Sequence, residues 1–473
     1  MALLIASVFS LHFHTPDQRW LPATLVLLCY LSFCLHTVLR HRSQQSGRSG
    51  QLQASENGIL VVYASQTGFA EKLARKTAQD LQQGGSTATV LAIGRMDGAV
   101  LQSAKRVLFI VSTTGEGDAP DSAAEFCQRW LGKPLSMPEM HYAILALGDR
   151  RYQHFCAFAH RLEHWLQQQQ AQPLFDMTEV DNGDATALQR WQQHLRQLGA
   201  ATAQSEWQAP AFQDWILAER HLMNPDSLGD PVYRIALTPP DPRIRWHAGD
   251  IAEIAPGFSP TNDLQMTAEV QPSLPHRAYS ISSLPADGKL ELLVRQMRQP
   301  DGSLGIGSGW LTASAPVGSH IQLRLRENRH FHTPPHDCPL ILIGNGTGLA
   351  GLRAHLKQRA LHGHVRNCLF FGERQRLRDF FHREEIQSWH NSGVLPALHL
   401  CFSRDQSERR YVQHALAEQA SAVREWVREG AVIMVCGSMR GMAEQVHATL
   451  NTILGEQQVN KMLAEGSYRR DVY

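Results

Sequence analysis

The chain has 473 residues, and its 45 basic and 44 acidic residues nearly balance. This balance gives no sign of a nucleic-acid partner, and the length suits about three domains of roughly 150 residues each. Eight cysteines occur without a C-x-x-C pair, which argues against a disulfide scaffold or a zinc site and fits a reducing compartment. No metal site is predicted.

The N-terminal region contains an apolar run that predicts a membrane anchor. Trp20 to Leu39 includes no Asp, Glu, Lys or Arg, and as a helix it would cover about 30 Å, the thickness of the hydrocarbon layer. Three arginines follow the run closely and one precedes it, so the positive-inside rule places the remaining chain in the cytoplasm. We predict an anchor in the cytoplasmic (inner) membrane over residues 1–42 and a flexible polar tether over residues 43–57.

The extent of this anchor and the role of its histidines stay open. Ala2 to Phe13 is apolar but short for a span, so the anchor is a single pass or a short hairpin. A signal peptide is disfavoured because the region has no basic n-region and no clear cleavage site. His12, His36 and His41 are candidate haem ligands, although a lone intramembrane histidine usually hydrogen-bonds within the protein.

The first loop suited to a phosphate follows the tether. Ile59 to Tyr63 predicts a short buried strand and Ala70 to Gln83 an amphipathic helix. The turn between them reads Ser65-Gln66-Thr67-Gly68. Backbone N–H groups at a helix N-terminus favour an anion, so this turn suits a terminal phosphate.

Two further strands, Arg106 to Val111 and Tyr142 to Leu147, each lead into a polar loop. The loops are Ser112 to Asp118 and Gly148 to Phe155. Strands that alternate with helices predict a parallel sheet, whose ligands lie beyond the C-terminal ends of the strands. All three loops are therefore expected at one edge of the sheet.

The middle of the chain predicts a β-rich region with a site suited to phosphate. After a linker at residues 201–213, Tyr233 to Ile254 shows β-type runs broken by Pro and Gly. Arg277-Ala278-Tyr279-Ser280 combines a guanidinium that can pair with phosphate and a ring that can hold another ring. Gly305 to Leu311 follows as a Gly-rich loop that also suits phosphate. The tetrapeptide and this loop together are stronger evidence for a phosphate-binding site than either motif alone.

The last region predicts a nucleotide site. Leu340 to Ile343 is an apolar strand that runs into Gly344 to Ala350, a G-x-G-x-G-L-A loop unlike the G-x-G-x-x-G of Rossmann domains. Downstream, Cys401 to Gln413 is rich in Ser, Arg, Tyr and Gln. A 2′-phosphate calls for Arg, so this segment suits a nucleotide that carries one; a solvated basic loop is the alternative.

From residue 58 to residue 473 the chain resembles the diflavin reductases, the family of NADPH–cytochrome reductase and the sulfite reductase flavoprotein. The resemblance implies an α/β flavodoxin-like FMN domain over residues 58–200. It also implies a ferredoxin-reductase module with an antiparallel β-barrel FAD lobe over residues 214–333 and an α/β NADP lobe over residues 334–473.

The same resemblance assigns residues to each cofactor. For FMN it implies Ser65, Gln66, Thr67, Gly68, Thr113, Thr114, Gly115, Glu116, Gly117, Leu147, Gly148, Tyr152, His154, Phe155 and Asp181. For FAD it implies Arg277, Tyr279, Ser280, Gly305, Gly307, Ser308 and Tyr473. For NADP it implies Gly346, Thr347, Gly348, Arg374, Ser403, Arg404, Arg409, Tyr411, Gln413 and Cys436.

Hydride transfer is implied at Ser280, Cys436 and Asp471, with Tyr473 covering the FAD ring until the nicotinamide displaces it. A lone cysteine at a strand end is more often a small packed hydrophobe. Cys436 also has no accompanying base, which argues against a nucleophilic role.

Two departures from the cytochrome-reductase branch stand out. Thr114 occupies a position where that branch commonly has an aromatic residue stacked on the flavin. Only the segment from Gly257 to His276 precedes Arg277, where that branch inserts a helical connecting domain. Short-linker bacterial relatives of the sulfite reductase flavoprotein look more similar.

The resemblance implies electron transfer from NADPH through FAD and FMN to a one-electron acceptor. The predicted anchor favours a membrane-associated haem protein. Alternatives are a sulfite-reductase-type subunit, a ferric-chelate or quinone reductase, and a non-enzymatic flavin sensor. Acidic residues near the FMN loops either steer a basic partner or form a solvated face: Glu116, Asp118, Asp121 and Glu125.

Overall fold

The computed structural model describes residues 58–150, 152–201, 210–257 and 276–473. The predicted anchor and tether, most of the linker and most of the short segment before Arg277 lie outside these ranges. Within the described ranges, no helix is both long and apolar enough to cross a bilayer. The described residues belong to one unit, Gly58–Tyr473.

The first sheet is parallel and has the strand order 2-1-3-4-5, the order of doubly wound flavodoxin-like folds. Its strands are β1 (Ile59–Ala64), β2 (Ala88–Ala92), β3 (Arg106–Ser112), β4 (His141–Gly148), β5 (Gln172–Pro173) and β6 (Thr178–Asp181), the last also paired with β4. Its helices are α1 (Phe69–Gln83), α2 (Gly98–Ser103), α3 (Ala124–Arg129), α4 (Ala157–Gln168) and α5 (Ala185–Gln197).

The continuous apolar runs of β1, β3 and β4 are buried because helices cover both faces of this sheet. One core contains Val61 with Leu73 of α1 and Trp191 of α5. The chain order reverses between β1 and β3, so their C-terminal ends border the crevice where such folds bind ligands.

The second sheet is antiparallel, with the order β10-β9-β12-β7-β8-β11. Its elements are β7 (Gln213–Leu222), β8 (Val232–Thr238), β9 (Ile251–Ala255), β10 (Arg277–Ser280), β11 (Leu290–Arg295), the short helix α6 (Ile306–Gly309) and β12 (His320–Arg326). A bridge between Ile281 and Leu292 joins the two end strands. The sheet therefore closes into a barrel around a core that includes Trp215 and Trp246.

The third sheet is parallel, with the order β15-β14-β13-β16-β17. Its strands are β13 (Leu340–Asn345), β14 (Asn367–Glu373), β15 (Ala397–Phe402), β16 (Val432–Gly437) and β17 (Tyr468–Val472). Its helices are α7 (Leu349–Leu361), α8 (Arg376–Asp379), α9 (Arg383–Asn391), α10 (Val412–Glu418), α11 (Ala420–Arg428), α12 (Glu444–Leu454) and α13 (Glu456–Glu465).

Alternate residues of β13 enter opposite cores of this sheet. Leu340 and Leu342 belong to one core, and Ile341 and Ile343 belong to the other. Successive strand residues point to opposite faces, so a fully apolar strand fits a sheet that is covered on both sides. The crevice of this sheet lies where the order reverses between β13 and β16.

Candidate functional site

A single cavity of about 2590 Å³ extends along the ends of all three sheets. Sites for one small molecule typically have volumes of about 300–1,000 Å³, so this cavity has room for several. Its lining includes the loop after β1, the start of β10, the Gly-rich loop before α6 and the loop after β13. The predicted cofactor sites therefore open into one connected space.

The first FMN loop has the backbone that a phosphate site requires. The Gly68 N–H donates to Ser65 Oγ at 2.8 Å, and Gly68 has φ 94°, a conformation that favours glycine. Ser122 fixes the loop from the other side, because its Oγ accepts from the Ser65 N–H at 3.1 Å and donates to the Ser65 carbonyl at 3.0 Å. The loop opens onto the N-terminus of α1 and lines the cavity, as an anion site there requires.

The second FMN loop contains a buried group suited to a ligand. Thr113, Thr114 and Gly115 line the cavity, and a hydrogen bond of 2.9 Å from the Thr114 N–H to the Asp118 carbonyl closes the loop. The Thr113 hydroxyl is buried and has no hydrogen-bond partner among the described residues. Buried hydroxyls are normally paired, so this orphaned oxygen fits contact with a bound cofactor.

The third FMN loop places Leu147, Gly148 and Tyr152 on the cavity wall. The Tyr152 residue is 42% exposed, although large aromatic side chains are usually more buried. A ring presented to a cavity is suited to stack on a flat ligand. Together the three loops fit FMN.

Five residues assigned to FMN do not line the cavity; they are Glu116, Gly117, His154, Phe155 and Asp181. Most of them hold the loops instead. Gly117 packs against His154, where an added Cβ would lie 2.8 Å from the histidine Cβ. Asp181 accepts from the Arg150 N–H at 3.0 Å.

The FAD residues meet at Gly307. A Cβ added there would lie 2.5 Å from Cγ of Arg277 and 3.0 Å from the Tyr279 hydroxyl. Ser308 Oγ accepts from the Met297 N–H at 3.0 Å and so fixes the loop. The guanidinium, the phenol and the glycine backbone all line the cavity, an arrangement that fits a dinucleotide pyrophosphate and its ring.

This close approach leads to a prediction for Gly307→Ala. The new methyl group must displace Arg277 or Tyr279, and overpacking of this kind costs about 1–3 kcal/mol, or roughly 5- to 150-fold in FAD affinity. Flavin extraction from the purified variant is expected to show FMN retained and FAD depleted. Val317→Ala, at an exposed position outside the cavity, should retain both flavins; normal FAD content in Gly307→Ala would contradict the assignment.

The residues assigned to hydride transfer lie together. Ser280 Oγ donates to Asp471 Oδ2 at 2.7 Å, and Cys436 Sγ donates to the same oxygen at 3.8 Å. Cys436 and Asp471 are paired neighbours on β16 and β17. The Tyr473 hydroxyl lies 3.2 Å from Thr347 Oγ1, so the terminal ring reaches the loop after β13.

The environment of these groups keeps the thiol neutral. Burial and the neighbouring Asp471 raise the pKa of Cys436 well above its usual value. Burial also raises the pKa of Asp471, although the hydrogen bond from Ser280 and the charge of Arg326 act to lower it. The cluster can therefore position a nicotinamide ring, but it lacks the thiolate that nucleophilic catalysis needs.

The loop after β13 brings its backbone close to β16. Gly346 has φ 56°, and a Cβ on Gly348 would lie 2.1 Å from the Cys436 carbonyl oxygen. Only glycine permits this approach. Gly346 and Thr347 line the cavity, whereas Gly348 is packed behind them.

Most of the residues assigned to the 2′-phosphate collect at the ends of β14 and β15. Arg374, Ser403, Arg404, Tyr411 and Gln413 line the cavity. The Arg404 N–H donates to the Arg374 carbonyl at 2.8 Å, which ties the two strand ends together. The exception is Arg409, which is exposed and does not line the cavity.

An ion pair that the sequence did not predict joins the flavodoxin-like half to β17. Arg470 Nε donates to Asp121 Oδ2 at 2.9 Å, and Nη2 pairs with Oδ1. The Gln66 amide donates to Asp121 at 3.0 Å and to the Arg470 carbonyl at 3.3 Å, so the first FMN loop takes part in this contact. The only trace of this ion pair in the sequence is one acidic and one basic residue that lie far apart in the chain.

A second, more exposed contact joins the same halves. Arg440 Nη2 lies 3.1 Å from Glu116 Oε1, and a Cβ on Gly115 would lie 2.7 Å from the Met439 sulfur. Two of the four acidic residues near the FMN loops, Glu116 and Asp121, are thus paired within the chain. The sequence had left open whether these acids face a partner or are solvated.

Alternating arginines of β12 were also missed as part of the cavity. Arg324 and Arg326 line it and contact the buried Glu253 at 2.6 and 2.8 Å. Burial disfavours ionisation of Glu253, but these two charges outweigh it and lower its pKa. The pattern Leu-Arg-Leu-Arg in β12 was the available signal, since alternate residues share a face.

Comparisons with known proteins agree with this architecture. Residues 61–200 match the family model described as Flavodoxin, and residues 342–448 match the model described as Oxidoreductase NAD-binding domain. The chain is similar to proteins named sulfite reductase [NADPH] flavoprotein alpha-component. That of Vibrio cholerae is 26% identical over 547 residues, covering 90% of this chain and 89% of the relative. That of Shewanella oneidensis is 24% identical over 553 residues, covering 89% and 90%.

A flavodoxin-like domain joined to a ferredoxin-reductase-like module, with one cavity between their loops, defines a diflavin reductase. The two matched domain models and the full-length relatives together support the diflavin reductase family for this chain. The chain is an NADPH-dependent flavoprotein oxidoreductase whose cofactors are FMN, FAD and NADPH. The alignments are longer than the chain itself, so the relatives contain segments that this chain lacks.

Proposed function

We propose that this diflavin oxidoreductase reduces a membrane-associated haem protein. The observation that carries the electron route is the single cavity, which receives the loops assigned to all three cofactors. When bound, NADPH supplies a hydride and the two flavins convert its electron pair into single electrons. The apolar run at residues 20–39 supports a membrane location.

The chain's own residues position the cofactors rather than perform chemistry on them. Ser280 and Cys436 hold the Asp471 carboxylate beside the expected nicotinamide position, and Tyr473 occupies the adjoining space. Arg277 and the Gly307 backbone would hold the FAD pyrophosphate, and Ser65 and Thr67 would hold the FMN phosphate, since all four line the cavity. Fixed geometry of this kind supplies much of the rate enhancement.

Specificity for NADPH is assigned to Arg404, which the fold separates from the neighbouring Arg409. Arg404→Ala is expected to raise the KM for NADPH roughly 10- to 100-fold, because a hydrogen bond to a charged group contributes about 1.5–3 kcal/mol. The KM for NADH should stay unchanged, since NADH has no 2′-phosphate. Arg409→Ala is the matched control and should leave both values unchanged; equal effects of the two variants would contradict the assignment.

The relatives favour a second candidate, a component that feeds sulfite reduction. The two candidates differ in the acceptor. When NADPH is added anaerobically to membranes that contain the chain, a haem should become reduced and its Soret absorption band should shift. Membranes without the chain should show no shift. Absence of haem reduction, together with loss of NADPH-dependent sulfite reduction when the chain is removed, would favour the second candidate.

A further inference from the structure

The geometry points to a divalent transition-metal site formed by His247, Asp250 and His332, outside the cofactor cavity. One ligand atom from each residue lies within 4.8 Å of the others, the one such group found among the described residues. None of the three residues lines the cavity. A metal held by these three side chains would therefore lie outside the lining of the cofactor cavity.

Two segments that are distant in the chain build this group. His247 and Asp250 lie in the turn before β9, where the Asp250 N–H donates to the His247 carbonyl at 3.0 Å and the His247 N–H donates to Asp250 Oδ2 at 2.8 Å. Gly249, with φ 99°, lets the second segment approach, because a Cβ there would lie 2.1 Å from the Phe331 carbonyl oxygen. His332 follows directly and meets the carboxylate.

The spacing of the three side chains suits a shared ion. His332 Nε2 donates to Asp250 Oδ1 at 2.6 Å, a hydrogen bond that the bound ion would replace, and His247 Nδ1 lies 3.7 Å from Oδ2. The longer separation exceeds a hydrogen bond but fits two ligands of one metal with bonds of about 2.0–2.2 Å. The two imidazole rings lie side by side, with centroids 5.0 Å apart.

The carboxylate has the charge and the free lone pair that a metal needs. Oδ1 accepts from the Asn328 N–H at 3.0 Å and from His332, whereas Oδ2 accepts only from the His247 N–H among these groups and so keeps a second lone pair. Burial opposes ionisation of Asp250, but these hydrogen bonds outweigh it and lower its pKa. The Arg469 guanidinium also lies near, donating to the His332 carbonyl at 2.6 Å.

The donor set indicates the class of metal. Two imidazole nitrogens and one carboxylate oxygen suit Zn²⁺, with water in the fourth position on the side of the exposed His247. Ca²⁺ and Mg²⁺ prefer all-oxygen sites. On binding, His332 must present an unprotonated Nε2, so its remaining proton resides on Nδ1.

Equilibrium dialysis of the full chain against ZnCl₂, followed by measurement of bound metal, tests this site. The histidine-rich sequence can also bind zinc elsewhere, so the decisive quantity is the zinc lost on substitution. His247→Ala and His332→Ala should each remove one tight equivalent, with affinity reduced by at least the roughly 10- to 100-fold that loss of a ligand's hydrogen-bond partner costs. His221→Ala, an exposed histidine on β7, is the matched control and should retain that equivalent.

Thermal unfolding gives a second readout that does not depend on enzyme activity. ZnCl₂ should raise the Tm of the unmodified chain and of His221→Ala, because a ligand that binds only the folded state stabilises it. It should not raise the Tm of His247→Ala, whose exposed side chain contributes little to folding. Equal zinc content and equal Tm response in His247→Ala and His221→Ala would overturn the proposal.

Discussion

Replacing Asp471 with alanine is expected to slow flavin reduction by NADPH about 100-fold, the typical effect of a displacement of about 1 Å at a reacting centre. The Ser280 hydroxyl and the Cys436 thiol both donate to this carboxylate. Without it, both donors lose their partner and the wall of the hydride site is free to rearrange. The rate constant is measured by anaerobic stopped-flow absorbance of the flavin.

Asp471→Asn is the matched variant, because its amide oxygen still accepts from Ser280. Its rate constant for flavin reduction by NADPH should lie between those of the unmodified chain and Asp471→Ala. Both variants should contain normal amounts of FMN and FAD, since Asp471 is not assigned to flavin binding. An unchanged rate in Asp471→Ala, with NADPH saturating, would contradict the positioning role.

Arg470→Gln is expected to separate the two halves of the molecule. The Arg470 and Asp121 side chains are only 26% and 13% exposed, and loss of one partner from a buried charge pair costs about 2–5 kcal/mol. At 1.4 kcal/mol per tenfold, even the lower value shifts the docking equilibrium roughly 30-fold. Small-angle X-ray scattering should show a larger radius of gyration, and electron transfer to an external acceptor should change while flavin reduction by NADPH stays near normal.

The chain provides its own control at the same interface. Arg440 and Glu116 form a similar pair, but their side chains are 80% and 41% exposed. Exposed pairs contribute about 0–1 kcal/mol, so Arg440→Gln should change the scattering far less than Arg470→Gln. Equal effects of the two substitutions would mean that charge alone, rather than the buried contact, holds the halves together.

The cofactor loops could be predicted from the sequence because the backbone conformation and the close contacts they need depend on the residue at each position. Gly68 and Gly346 adopt positive φ angles, and Gly307 must lie against Arg277, so glycine at these positions is visible in the sequence. Strand periods placed β1, β3, β4 and β13 within one or two residues of their observed ends.

What the sequence did not reveal depends on distant contacts. β17 reads Tyr-Arg-Arg-Asp-Val, a mixed pattern that becomes a strand only because it pairs with β16 at the edge of the sheet. Asp121 and Arg470 are 349 residues apart in the chain, so no local pattern joins them. Arg409 shows the converse, because a suitable residue type in a suitable segment is still exposed and lies outside the cavity lining.

The pairing of Asp121 with Arg470 has a consequence for how such chains can diversify. The flavodoxin-like half supplies Asp121, which contacts the Gln66 loop, and the other half supplies Arg470, which is adjacent to Asp471. A chimera that takes its flavodoxin-like half from a distant relative therefore loses the docking contact unless that half supplies a matching acid. A substitution that removes one partner of this pair is therefore expected to need a compensating change in the other half before docking is restored.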